Sequence, residues 1–284
     1  VTDSWADLTA ELVKELDVRV IPLTYMIDEK EYHDDPTNPE VTGEDFYNLL
    51  RAGKTATTAA VNVGTYTEVL EPLLAEGNDV LVLAFSSGLS TTYQSAVIAA
   101  NELLETYPHR QIRVVDTLCA SLGQGLFVYY ACKKRDAGLS LEELHAWCEE
   151  NKLKLCHWVT VDDLMYLKRG GRISAATALV GTMLNIKPVL HVDDEGHLIS
   201  VSKTRGRKAA IEALAKKVTE TAFPNENDTM FISHGDCLED AQYLGEVLKK
   251  KCGVKNVVIS YVGGVIGSHA GPGTVALFFL ASHR

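Results

Sequence analysis

No apolar stretch of this 284-residue chain reaches the length of a membrane span, and no signal-peptide pattern opens it. The six cysteines, at 119, 132, 148, 156, 237 and 252, include no CxxC pair. Reduced structural thiols are therefore expected, which places the protein in the cytoplasm. Nine histidines show neither HExxH nor His-Cys metal spacing, so no metal site is expected. Without a Walker loop, nucleotide hydrolysis by this chain is not expected. Positive charge is also scarce: 27 basic against 38 acidic residues give a net charge of −11, which argues against nucleic-acid binding. No internal repeat or low-complexity segment occurs. The chain begins at Val1 without a methionine, and an opening strand shortened at its start is expected.

What is present is ordinary globular material, 46% hydrophobic and 23% charged, with enough apolar residues for one large or two medium cores. The most informative stretch is an apolar run, Val80-Leu-Val-Leu-Ala-Phe85, that stops at Ser86-Ser87-Gly88-Leu89-Ser90. An apolar-periodic helix pattern follows to about Tyr107. A buried strand, a hydroxyl-rich turn and a helix start are expected here. Such a junction favours an anionic oxygen, although Ser90 serving only as a helix cap is the plainer reading.

Strands at Val18–Ile27, from Val80 and at Ile112–Val115 alternate with helices at 43–50, 65–74, 92–107, 120–137 and 141–153. This order predicts an α/β fold with a parallel, doubly wound sheet over residues 1–155. Residues 28–41 and 55–64 read as loops. Beyond residue 155 the pattern changes to an α+β domain, 156–284. Its expected parts are a strand at 155–161, a short helix at 162–167, a helix at 174–184 and a hairpin around Asp194-Glu195-Gly196. Helices at 206–222 and 237–251 and strands at 229–233, 255–262 and 275–280 complete it, the last strand packing back toward the first domain. Ligands of open α/β sheets sit outside the carboxyl ends of strands, where Ser86 and Asp116 fall.

Ser121-Leu-Gly123-Gln-Gly125 is not a dinucleotide fingerprint, because the third glycine is Val128; close helix–sheet packing explains it better. Lys168-Arg-Gly-Gly-Arg172 is either a solvated basic turn or an anion clamp. The stretch from Gly263 to Gly273 holds five glycines besides His269, which implies special backbone angles or close approach. A rival reading is a serine-dependent esterase using Ser90 and His269, with Asp116 as orienter; no GxSxG motif supports it. A third is a transcriptional or signalling partner protein, with the acidic charge disfavouring direct DNA contact.

Several islands fall in one order. They are Val1-Thr-Asp-Ser4 with Asp7-Leu8, Ser86-Ser-Gly-Leu-Ser90, Val115-Asp116-Thr with Gly123-Gln-Gly125, Tyr166-Leu-Lys-Arg-Gly-Gly-Arg-Ile-Ser174, Lys187-Pro188 and His269-Ala-Gly-Pro-Gly273. Together they resemble the DegV family, bacterial fatty-acid-binding proteins that serve fatty acid kinase. The resemblance spans nearly the whole chain. It implies a DegV-like two-domain fold holding one long-chain acid, such as palmitate or a C18 acid, between its domains. It implies carboxylate binding by Thr58 and Ser90, supported by Ser87, Arg172 and His269. The family loop Thr-Ser-Gln-Pro-Ser reads Thr58-Ala-Ala-Val-Asn62 here. It further implies a carrier with no cofactor, not a stand-alone enzyme. That carrier takes the acid from a membrane by transient contact and presents it to the kinase's catalytic subunit, a step feeding phospholipid metabolism. Lys203, Arg205, Arg207 and Lys208 are the implied kinase-docking cations. Burying about 14 methylenes contributes on the order of 11 kcal/mol before binding costs, so the expected difficulty is the carboxylate, which is expensive to bury unpaired.

Overall fold

The computed structural model describes residues 1–174, 185–223 and 227–284. Apart from Ser174, the helix expected over 174–184 lies outside the described residues. Among the described residues, no helix is long and apolar enough to cross a membrane.

The first half builds a parallel sheet in the order β2 (Val20–Ile21), β1 (Thr2–Asp3), β6 (Val80–Ala84) and β7 (Ile112–Asp116). Helices α3 (Val63–Ala75), α4 (Thr92–Thr106), α5 (Leu122–Asp136) and α6 (Leu141–Asn151) follow the expected pattern closely. The expected strand at 18–27 is split, because Pro22 cannot donate to a ladder. Its second part, β3 (Leu23–Ile27), leaves the parallel sheet and centres an antiparallel three-stranded sheet. The outer strands of that small sheet, β4 (Lys30–Asp34) and β5 (Ala56–Thr58), occupy stretches expected as loops. Both are short and polar, so neither shows the apolar alternation that marks a strand in sequence.

The second half builds a six-stranded mixed sheet in the order β10 (Leu198–Arg205), β9 (Ile186–Val192), β8 (Leu155–Thr160), β13 (Val275–Leu280), β11 (Thr229–His234) and β12 (Asn256–Tyr261). Strand β13 is wholly buried and runs antiparallel to both neighbours, with Leu277 opposite Trp158 and Ile232. Helices α7 (Leu164–Arg169), α8 (Arg207–Thr221) and α9 (Leu238–Cys252) complete this half, with α2 (Gly43–Arg51) belonging to the first. The glycine-rich stretch holds a seven-residue helix, α10 (Gly264–Ala270).

Helix α5 joins the halves. Leu126 and Phe127 are buried in one core with Leu83 and Val115 of the first sheet and Phe231 and Phe278 of the second. A Cβ on Gly123 would lie 2.2 Å from His157 Nε2, and one on Gly125 would lie 2.6 Å from the Ala6 carbonyl. The two glycines therefore let this helix fit between the sheets, as the sequence implied. The β9–β10 tip closes the seam: Ser86 Oγ donates to the Gly196 carbonyl at 2.9 Å.

Candidate functional site

Strand β5 ends at Thr58, and α10 carries His269 opposite it; Thr58 Oγ1 and His269 Nε2 are hydrogen-bonded at 2.8 Å. Helix α10 is a poor helix by composition and is held by tertiary contacts. Asp7 Oδ1 accepts from Gly263 N at 3.0 Å, and Asp34 Oδ2 accepts from Val265 N at 3.2 Å. A Cβ on Gly267 would lie 2.6 Å from the Tyr47 hydroxyl, so only glycine lets the helix lie on that ring. Burial raises the Asp34 carboxyl to about 6 and moves Asp7 well above the usual carboxylate range.

The Lys-Arg-Gly-Gly-Arg segment works as a chain reversal. Helix α7 ends at Gly170, and Gly171 adopts φ +73°, with Arg172 N donating to Leu167 O at 2.9 Å. Lys168 and Arg169 stay exposed while Arg172 turns inward. Its guanidinium donates to the Leu89 carbonyl at 3.0 Å and to the Gly170 carbonyl. Among the described residues no carboxylate pairs with Arg172.

Arg172 and His269 border two spaces at once and form a neck between them. Inward lies a narrow chamber between the sheets, a cavity of about 80 Å³. Trp5, Phe85, Leu89, Val161, Leu198 and Ile266 are among its walls. Its hydroxyls are turned to the protein. Ser121 donates to Asp7 and pairs with Ser233 at 3.0 Å, and Thr274 donates to the Ala270 and Gly271 carbonyls. His157 Nε2 accepts from Ala120 N at 3.1 Å, and burial holds that ring neutral. Outward lies a cleft with about 230 Å³ open to water centres, bordered by Lys54, Thr57, Thr58, Tyr166, Arg169 and Ser268.

The structure thus brings Thr58, Arg172 and His269 together. His269 is uncharged at this site. Burial, aided by the Arg172 guanidinium, lowers it to about 4, so the ring is neutral at pH 7 and adds no positive potential. Ser90 and Ser87 line neither space. Ser90 Oγ pairs with Thr92 Oγ1 at 3.0 Å and accepts Thr92 N at 3.3 Å, a role at the start of α4. Thr92 Oγ1 in turn accepts Val61 N, which ties Ser90 to the loop after Thr58. Ser87 N donates to Asp116 Oδ1 at 3.1 Å. The esterase arrangement does not assemble, because the described hydrogen bonds pair His269 with Thr58, not Ser90. Arg207 is tied to Asp240 at 2.7 Å and to Asp162 at 3.4 Å, whereas Arg205 and Lys208 are exposed. Sequence reasoning missed Trp5, whose only signal was an aromatic residue just past the first strand, and it missed Tyr166 as a cleft wall.

A family model described as "Uncharacterised protein, DegV family" matches residues 1–282. A DegV domain-containing protein of Clostridium perfringens is 47% identical over 283 residues, covering 100% of this chain and 97% of that protein. Among solved structures, a fatty-acid-binding DegV family protein from Thermus thermophilus is 34% identical with a TM-score of 0.86, covering 99% of this chain and 98% of its own. One from Ruminococcus gnavus, refined with vaccenic acid, is 25% identical with a TM-score of 0.85, covering 98% and 97%. The chain belongs to the DegV family.

Proposed function

We propose that this protein binds one long-chain fatty acid, such as palmitate or a C18 acid, with the tail in the chamber and the carboxylate at the neck. The observation that carries the reading is Arg172, a half-buried cation that meets only backbone carbonyls among the described residues. A buried charge without a counter-charge is costly, and an incoming carboxylate supplies one. The chamber's hydroxyls are already bonded to protein groups and do not compete for the carboxylate.

Thr58 is the second carboxylate contact. His269 Nδ1 has no partner and faces the Cα of Gly170, where a Cβ would be only 2.1 Å away. The neutral ring then holds its proton on Nε2 and donates to Thr58 Oγ1, leaving the Thr58 hydroxyl proton free for the ligand. His269 acts by orienting a hydroxyl rather than by charge. Ser90 and Ser87 support the turn behind this contact.

The cleft outside Thr58 leaves the carboxylate reachable from solvent. We read this as the face presented to a separate ATP-dependent fatty acid kinase for acyl phosphate formation. Exposed Lys203, Arg205 and Lys208 are the docking cations that remain, with Arg207 holding α8 to Asp162 and Asp240. Supply of the acid by transient membrane contact and a cytoplasmic site of action complete the proposal. The test is solvent extraction of the purified protein with mass spectrometry of the extract. A stoichiometric long-chain acid is expected, and a protein that neither carries nor takes up such an acid overturns the reading. Arg205→Glu is expected to weaken kinase coupling with lipid still bound.

A further inference from the structure

Trp5 is 2% exposed, lines the chamber and stacks on Phe85 at 4.3 Å. Its Nε1 is buried and has no hydrogen-bond partner. An indole N–H can only donate, so the missing partner is an acceptor. The hydroxyls of Thr274 and Ser121 on the same walls find partners in the protein, whereas His157 Nδ1 shares the unpartnered state of the indole N–H. The Trp5 ring centroid lies 6.4 Å from that of His269. Thr58 borders the cleft and not the chamber, whereas Trp5 borders the chamber and not the cleft. The two residues therefore sit on opposite sides of the Arg172–His269 neck. With the carboxylate at Thr58, the indole faces the first carbons of the tail.

From this placement we infer that Trp5 is a specificity-determining residue that reads an oxygen substituent near the head of the tail, so that the preferred ligand class is the 3-hydroxy fatty acids. The inference rests on the carboxylate site proposed above. A hydroxyl at C3 gives the indole its acceptor without moving the carboxylate from Thr58 and Arg172. A plain acid leaves the N–H unpaired against methylene groups. One neutral hydrogen bond corresponds to about a 3–10-fold difference in affinity.

Calorimetry with hexadecanoic and 3-hydroxyhexadecanoic acid on the wild-type protein and on Trp5→Phe tests this. Tighter wild-type binding of the hydroxy acid by about 3–10-fold is expected, and Trp5→Phe is expected to remove the difference between the two acids. The Trp5 indole N–H resonance of the wild-type protein gives a readout independent of the variant's folding. It is expected to move downfield with the hydroxy acid and not with the plain acid. Equal wild-type affinities, a preference that survives Trp5→Phe, or an indifferent indole resonance overturns the inference and leaves the carboxylate site standing. Binding of neither acid overturns both.

Discussion

Inside the neck, Ser121, Ser233 and Thr274 give their hydroxyls to protein partners, and the wall is hydrocarbon apart from the unpartnered Trp5 Nε1 and His157 Nδ1. Outside it, Arg169 lies over the Tyr166 ring at 4.5 Å, and Lys54, Thr57 and Thr58 border open water. The chamber admits the centre of a water molecule to about a third as much space as the cleft, 80 against 230 Å³. On the proposed function, the contrast lets one cavity handle a molecule with two natures. The greasy part is held by area alone, which is non-directional and tolerant. The charged part is held by few groups whose positions are fixed from several elements.

Breaking the polar end should cost most. Arg172→Met is expected to weaken binding of hexadecanoic acid by roughly 10–150-fold, the range for a hydrogen bond to a charged group, and to leave hexadecan-1-ol nearly unaffected. Calorimetry with both ligands checks it; equal losses would mean that Arg172 only shapes the channel. Filling the apolar end with Val161→Phe should exclude several methylenes at about 0.8 kcal/mol each. Affinity for a C16 acid is then expected to fall by tens-fold, with a C8 acid little changed, in a chain-length series by the same method.

Smaller effects sharpen the comparison. Thr58→Val is expected to lower affinity by about 5–30-fold, and Ser90→Ala by less than about twofold, because the Ser90 hydroxyl serves Thr92. Gly170→Ala, which drives a methyl group into His269, should resemble Thr58→Val. Should the alanine variant bind normally, the orienting role of His269 is wrong.

The smallest expected change concerns pH. The Asp34 carboxyl, near 3.8 when free in water, is raised by burial to about 6 in the folded chain, and Asp3 to about 7. As pH rises from about 4 toward 7, the unfolded chain gives up these protons before the folded one does. Stability should therefore decline over that window, and thermal melts of Asp34→Asn should show a shallower decline than the wild type.

The long periodic elements were legible in the sequence: α4, α5, α8, α9 and the buried run of β6 all lie close to where the apolar pattern put them. The lesson of the misses is consistent. Strands β4 and β5 and helix α10 exist because distant residues hold them, and no local pattern records Asp7, Asp34 or Tyr47 closing on residues 263–267. At the site, the ordered islands were enough to name Thr58, Arg172 and His269 through resemblance. They could not show that His269 is neutral, which depends on burial beside Arg172. Nor could they show that Arg207 is engaged, since Asp162 and Asp240 approach it only in the folded chain.

Strand β13 sits between β8 and β11, about 120 positions from the one and about 45 from the other. Ala276 and Phe278 on it are chamber walls. A chain still leaving the ribosome short of residue 275 holds two sheet edges with a slot between them and no closed compartment. Such long-range pairing is slow to form and leaves unpaired edges exposed in the meantime. On the proposed function, lipid loading has to wait until β13 has emerged, and a product cut short of that strand would offer sticky edges to its neighbours instead of a cargo hold.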